Sequence, residues 1–160
     1  MLKKIKQFLA KKNIEISIKR YGIEALGAMA KGLFASLIVG LILKVIGQKL
    51  NLPLLVDFFE IARSMMGPAI GVAVAYGLQA PPLVIFTSAV TGGAGAELGG
   101  PVGAFLAAVI GAESGKLISK ETKLDIVLTP MVVIITGGIM AKFVGPVINN
   151  FMNYLGTVIM

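Results

Sequence analysis

One carboxylate stands alone in the most apolar part of this chain. It is Glu97, within VTGGAGAELGGPVG at residues 90–103, and no other charged residue lies between Arg63 and Glu113. At mid-bilayer a carboxylate costs roughly 2.5–3.5 kcal/mol even on the lenient insertion scale, so intramembrane acids face a cavity, a partner or a pathway. There it accepts hydrogen bonds from hydroxyls, the groups a sugar offers. Beside a broken helix, freed backbone N–H and C=O groups add further polar ligands. Two plainer roles stay open: Glu97 at a membrane surface, or Glu97 protonated and satisfied internally. Thr87, Ser88 and Thr91 precede it and are candidates to line the same cavity. Each hydroxyl has the competing option of bonding its own helix backbone one turn back.

Small residues recur every four positions at Gly95, Gly99, Gly103, Ala107, Gly111 and Gly115. On a helix they form one flat stripe that lets a neighbouring backbone approach closely, so the glycines read as helix-packing residues. Glu97 lies two residues off that stripe and needs a separate explanation.

Other chemistry is excluded. The chain has no cysteine and no histidine. That removes disulfides, thiolate metal sites, a histidine base and a phosphohistidine relay. No phosphate-binding glycine loop, metal cluster or nucleophile triad occurs. The reading has no catalytic residue, metal or cofactor.

The elements that must position Glu97 follow from composition. Of the 160 residues 56% are hydrophobic and 14% charged, against roughly 25% charged in a soluble domain. With a mean hydropathy of +0.89, this is an integral membrane protein whose excess apolar surface is solvated by lipid. The expected fold is an all-α polytopic bundle of about four to six membrane segments, with a glycine-rich broken or re-entrant helix.

The net charge is +7 and concentrated at the start. Before Ala25 stand Lys3, Lys4, Lys6, Lys11, Lys12, Lys19 and Arg20 against Glu15 and Glu24. Adjoining a hydrophobic span, this pole suits an anionic membrane surface rather than nucleic acid. Ile5, Phe8 and Leu9 share one helical face among the lysines, which predicts a short amphipathic helix on the bilayer. Residues 1–24 are read as a basic cytoplasmic segment and 25–160 as the transmembrane domain. The basic flank places the N-terminus inside.

Residues 25–47 form the first spanning candidate, and residues 48–63 an amphipathic helix. The next 49 residues, 64–112, hold only one charge and are divided by glycine and proline. They predict a segment at 66–80, a break at Pro81–Pro82, a short segment at 83–90, the glycine stretch and a third segment from Pro101. The polar stretch 113–125 is basic and returns to the inside. Three crossings satisfy that parity, and so does one crossing plus a re-entrant hairpin. Two further segments, 126–141 and 143–160, are separated by a turn expected at Lys142. Asn149 and Asn153 share a face there, either bonding between helices or marking a surface-lying end.

The stretches ISIKRYGIEALGAMAKGLFASLIVGLILKVIG and TGGAGAELGGPVGAFLAAVIGAESGKLISKETKLDIVLTP resemble the membrane IIC component of a bacterial sugar phosphotransferase system. The similarity is greatest to the branch that includes the clostridial perfringolysin regulator. It runs from about Ile14 onward, over what reads as the N-terminal half of such a protein. It implies a multi-pass protein of the bacterial inner membrane, often a homo-oligomer, that binds and translocates a sugar. Separate cytoplasmic IIB and IIA phosphocarriers would supply the phosphate, since this chain has no phosphoryl-carrying residue of its own. In such proteins a glutamate in a broken, re-entrant region binds the sugar, a role that falls here to Glu97. A non-transporting regulator or sensor on the same fold and an ion or proton pathway titrating Glu97 are the alternatives.

Overall fold

The computed structural model describes residues 1–160, and every element is a helix. The helices are α1 (Leu2–Lys11), α2 (Lys19–Lys49), α3 (Pro53–Ser64), α4 (Met66–Gly77), α5 (Pro82–Ile118) and α6 (Asp125–Ile159). Three of them, α2, α5 and α6, are long and apolar enough to cross a membrane. The pair α3–α4, bent by 52° at Met65, makes a fourth candidate.

Punctuation residues set these boundaries. Pro53 and Pro82 sit in the first turns of α3 and α5, where a missing N–H costs nothing. Asn13, Asn51, Gln79 and Lys120 take positive φ and close the C-termini of α1, α2, α4 and α5.

The α3–α4 pair runs back along α2. Gly47 of α2 meets Leu55, Gly40 meets Ala62 and Phe59, and Gly32 meets Ala69 and Ala73. Gly77 at the end of α4 then reaches Ala28. This antiparallel seam brings the chain from the far end of α2 back to its basic end, here the near end.

Helix α5 is not one rod. At Gly99 (φ −144°, ψ 16°) and Gly100 (φ 65°, ψ −157°) the chain leaves helical geometry. The Gly100 conformation is essentially closed to residues with a Cβ. Pro101 then starts a second arm. The arms, residues 82–98 and 101–118, pack antiparallel: Gly95 abuts Gly103, Thr91 meets Gly111, and Val84 meets Gly115. A Cβ at Gly95 would overlap the Gly103 carbonyl, so glycine permits the crossing. The stretch expected either to extend one helix or to turn back does turn back, as a hairpin of two arms.

The hairpin stops part-way. Its tip, Leu98–Gly99, packs on Gly145 of α6, about 20 residues (roughly 30 Å) from the near end of that 35-residue helix. On the other flank the first arm packs on α4, Gly92 against Gly67 and Gly71, while α4 packs on residues near Gly32 in α2. Both long helices therefore place the tip near their own midpoints. The α3–α4 bend at Met65 sits at the same level.

Helix α6 differs from expectation. It runs unbroken through Lys142, where a turn was expected between two segments. Its buried residues Thr129, Val133, Gly137, Ala141 and Gly145 recur every four positions and form a straight seam against the hairpin. That seam holds the helix past Lys142, and Pro146 is accommodated within it. Beyond Gly145 no residue of α6 is buried, and Asn149 and Asn153 are both exposed.

The hydrophobic core lies where α4, both arms of α5 and α6 meet, around Ile70, Val74, Leu78, Val84, Ala104, Ala108 and Val133. It is dense in glycine and alanine, so helix backbones approach closely. A Cβ at Gly71 would overlap the carbonyl of Ser88.

Candidate functional site: a mid-height cleft between two broken helices

Glu97 lies in the last turn of the first hairpin arm, two residues before the kink. Its side chain is exposed, and none of the chain's four ion pairs involves it. It lines a cleft of about 450 Å³ with Arg63, Ser64, Met66, Gly67, Pro68, Gly93 and Ala96. One wall is thus the hairpin tip, and the other is the α3–α4 bend.

Two helix ends shape the electrostatics of this cleft. Met66 and Gly67 open α4, so the positive end of that helix dipole faces the cleft and favours an anion. Ser64 closes α3, and Arg63 in its last turn complements the negative end. Arg63 is 65% exposed and has only a loose contact with Glu60, 3.8 Å away. The cleft therefore offers a carboxylate, a guanidinium and helix-end backbone groups at one depth. These can bind a polyhydroxylic solute through acceptors and donors together.

The hydroxyls singled out with Glu97 lie elsewhere. Thr87 donates to the Leu83 carbonyl at 2.7 Å, Ser88 to Val84 at 2.8 Å and Thr91 to Ser88 at 3.1 Å. All three are buried, and the Thr91 methyl wedges between Gly111 and Gly137. None of them lines the Glu97 cleft. The five glycines Gly95, Gly99, Gly103, Gly111 and Gly115 are all buried, but the kink divides their stripe. Gly95 and Gly103 face each other, Gly99 faces α6, and Gly111 and Gly115 face both the first arm and α6.

A second polar constellation lies at the near end. The C-termini of α1, α4 and α5 converge there, and each leaves carbonyls without helical partners. Lys116, only 1% exposed, answers two of them, donating to the carbonyls of Asn13 (2.7 Å) and Leu78 (2.8 Å). Its third proton goes to Glu113 at 3.0 Å. Arg20, 5% exposed, also donates to the Asn13 carbonyl, at 2.6 Å, and pairs with Glu24. Lys12 donates to the Ser119 carbonyl at 2.7 Å and pairs with Glu121.

Lys12 holds the Glu121 carboxyl below the usual carboxylate range by hydrogen bonding and charge. The folded-state value is depressed, so this contact stabilises above the ordinary carboxylate range and is lost as pH falls through the lowered value. The cluster fastens the N-terminal segment, the end of α4 and the base of the hairpin into one root. The sequence reading placed Lys116 in a polar loop and missed this role. Its signal was the spacing Glu113–Lys116, which puts both on one helical face.

The comparisons with known proteins agree with this architecture. Residues 23–160 match the family model described as Phosphotransferase system, EIIC. No curated protein and no solved structure matches the chain. A match over that share of the sequence, on an all-helical bundle with several apolar spans, establishes that the chain belongs to the phosphotransferase-system EIIC family, as a multi-pass membrane component of a sugar transporter of that system.

Proposed function

We propose that this chain binds a sugar at Glu97 and passes it across the bacterial inner membrane for phosphorylation by a separate cytoplasmic IIB protein charged by IIA. The observation that carries this reading is the position of Glu97. It is an unpaired carboxylate at the kink of a re-entrant hairpin, level with the midpoints of both long helices and opposite a second helix break. Broken helices at mid-depth are how transporters hold polar cargo in an apolar medium. Glu97 accepts the sugar hydroxyls, while Thr87, Ser88 and Thr91 bond their own helix backbone and Thr91 packs the first arm against the second.

The near end is cytoplasmic on this reading, because lysines flank the spans there. Helix α1 carries Leu2, Ile5 and Phe8 exposed among its lysines and buries no residue in the chain, which suits the headgroup layer of an anionic leaflet. Exposed apolar side chains along α6, among them Phe143, Val147 and Phe151, suit contact with lipid or a further copy, as in a homo-oligomer.

The test is sugar-dependent phosphoryl transfer. Membrane vesicles holding the full chain, with IIA, IIB and phosphoenolpyruvate supplied, should accumulate a phosphorylated sugar from a panel of hexoses, hexitols and disaccharides. Vesicles without the chain should accumulate none. Equal accumulation in both would reject transport by this chain.

A further inference from the structure

We infer that the polar face of α3 lines a water-filled passage leading from the far end of the bundle to the Glu97 cleft. The inference rests on the reading of that cleft as a polar site and adds the route by which a solute reaches it. Asp57, Glu60 and Arg63 stand three apart on α3, so successive side chains turn by only about 60° and share one face with Ser64. All four are exposed within the chain. The packed face, with Phe59 and Ala62 against Gly40, is distinct from it, and so is the apolar exposed flank of Leu54, Phe58 and Ile61.

Depth makes this face unusual. Gly47 meets Leu55, whereas Gly40 meets Ala62, so α3 descends alongside α2 rather than lying on the surface. Arg63 sits beside the Gly40 level, seven residues or about 10 Å inside Gly47. An apolar flank at that depth suits lipid, but a face of two carboxylates and a guanidinium does not. The loose Arg63–Glu60 contact, at 3.8 Å between exposed side chains, does not neutralise it. Intramembrane charges of this kind face water or a partner. Here they run down to Arg63 and Ser64, which themselves line the cleft with Glu97. The continuity of polar side chains from Asp57 to Glu97 is that of a channel wall.

The chain has no cysteine, so single thiols report accessibility without background. Asp57→Cys, Glu60→Cys, Arg63→Cys and Ser64→Cys, made in the full chain in sealed vesicles, should react with a membrane-impermeant maleimide. Only the thiolate reacts and it forms only in water, so the expected rates are at least about tenfold above those of Phe58→Cys and Ile61→Cys. Labelling should follow the side of Asn51→Cys at the far end and not that of Lys120→Cys at the near end. Ser64→Cys is nearly isosteric and keeps the test alive if a charged position fails to fold.

Rates equal to the Phe58 and Ile61 variants, or labelling from the Lys120 side alone, would overturn the passage. So would spontaneous disulfides to a second copy, which would show the face covered by protein. The labelling needs no sugar. A reactive face without sugar binding would reject the transport reading alone, and sugar binding with an unreactive face would reject the passage alone.

Discussion

Glu97→Gln is expected to lower sugar affinity by about 10- to 100-fold in calorimetry of the full chain in detergent, with the melting temperature unchanged. The magnitude is that of hydrogen bonds to a charged acceptor, about 1.5–3 kcal/mol. Stability is spared because the Glu97 side chain is exposed and takes part in no ion pair of the chain. The comparison that isolates the site is Thr91→Ala. The Thr91 hydroxyl is buried and bonds its own backbone, and its methyl packs the hairpin against α6. That change should shift the melting temperature far more than it shifts affinity. Unaltered affinity in Glu97→Gln would remove Glu97 from the site.

The largest stability effect is expected far from that cleft. Lys116→Met removes an ammonium that is 1% exposed, strands the Leu78 carbonyl and the Glu113 carboxylate, and leaves the Asn13 carbonyl to Arg20 alone. Breaking such a buried pair from one side costs about 3–5 kcal/mol. Thermal unfolding in detergent should show the loss. Proteolysis should then cut more readily before Lys19, because Asn13 loses one of the two cations that hold its carbonyl. Adding Glu113→Gln to Lys116→Met should recover part of the loss, since the stranded charge goes with it. Lys120→Met, on an exposed residue just beyond the end of α5, should stay within about 0.5 kcal/mol of the parent. Equal stability of the Lys116 and Lys120 variants would contradict the root described here.

The two predictions concern one lever. The hairpin carries Glu97 at its tip and Lys116 at its base, and α4 carries the Met65 bend at one end and Leu78 at the other. Fixing Leu78 and the hairpin base together at the near end sets the separation of the two helix breaks at mid-height. A loosened root should therefore also weaken sugar binding, though by less than loss of the carboxylate.

Much of this architecture is legible in the residues, and the failures are instructive. The apolar runs predicted α2 and the later spans, and Pro81–Pro82 marked the break before α5, whereas the helix expected over 48–63 starts only at Pro53. Glu97 stood out because its charge is isolated in an apolar setting. The choice between a straight helix and a hairpin was not legible, because GxxxG spacing serves both. What decides it is the pair Gly99–Gly100, whose neighbour Pro101 suits a helix start as well as a kink.

The turn expected at Lys142 rests on one charge between two apolar segments. The four-residue seam of small side chains through Gly137, Ala141 and Gly145 overrode that local signal. Tertiary contacts also decided the hydroxyls: Thr91 precedes the acid by less than two turns yet faces Gly111 and Gly137 rather than the cleft. Lys116 escaped notice because a lysine beside serine and glutamate reads as solvated. Only the convergence of three helix C-termini makes it a core residue.

The most direct measurement is the structure of the full chain in lipid with a bound sugar from the panel used in the phosphoryl-transfer test. The sugar should lie between the hairpin tip and the α3–α4 bend, with a hydroxyl within about 2.5–3.0 Å of the Glu97 carboxylate and with Arg63 beside it. A sugar bound away from that cleft, or a hairpin straightened into a single rod through Gly99 and Gly100, would contradict the account.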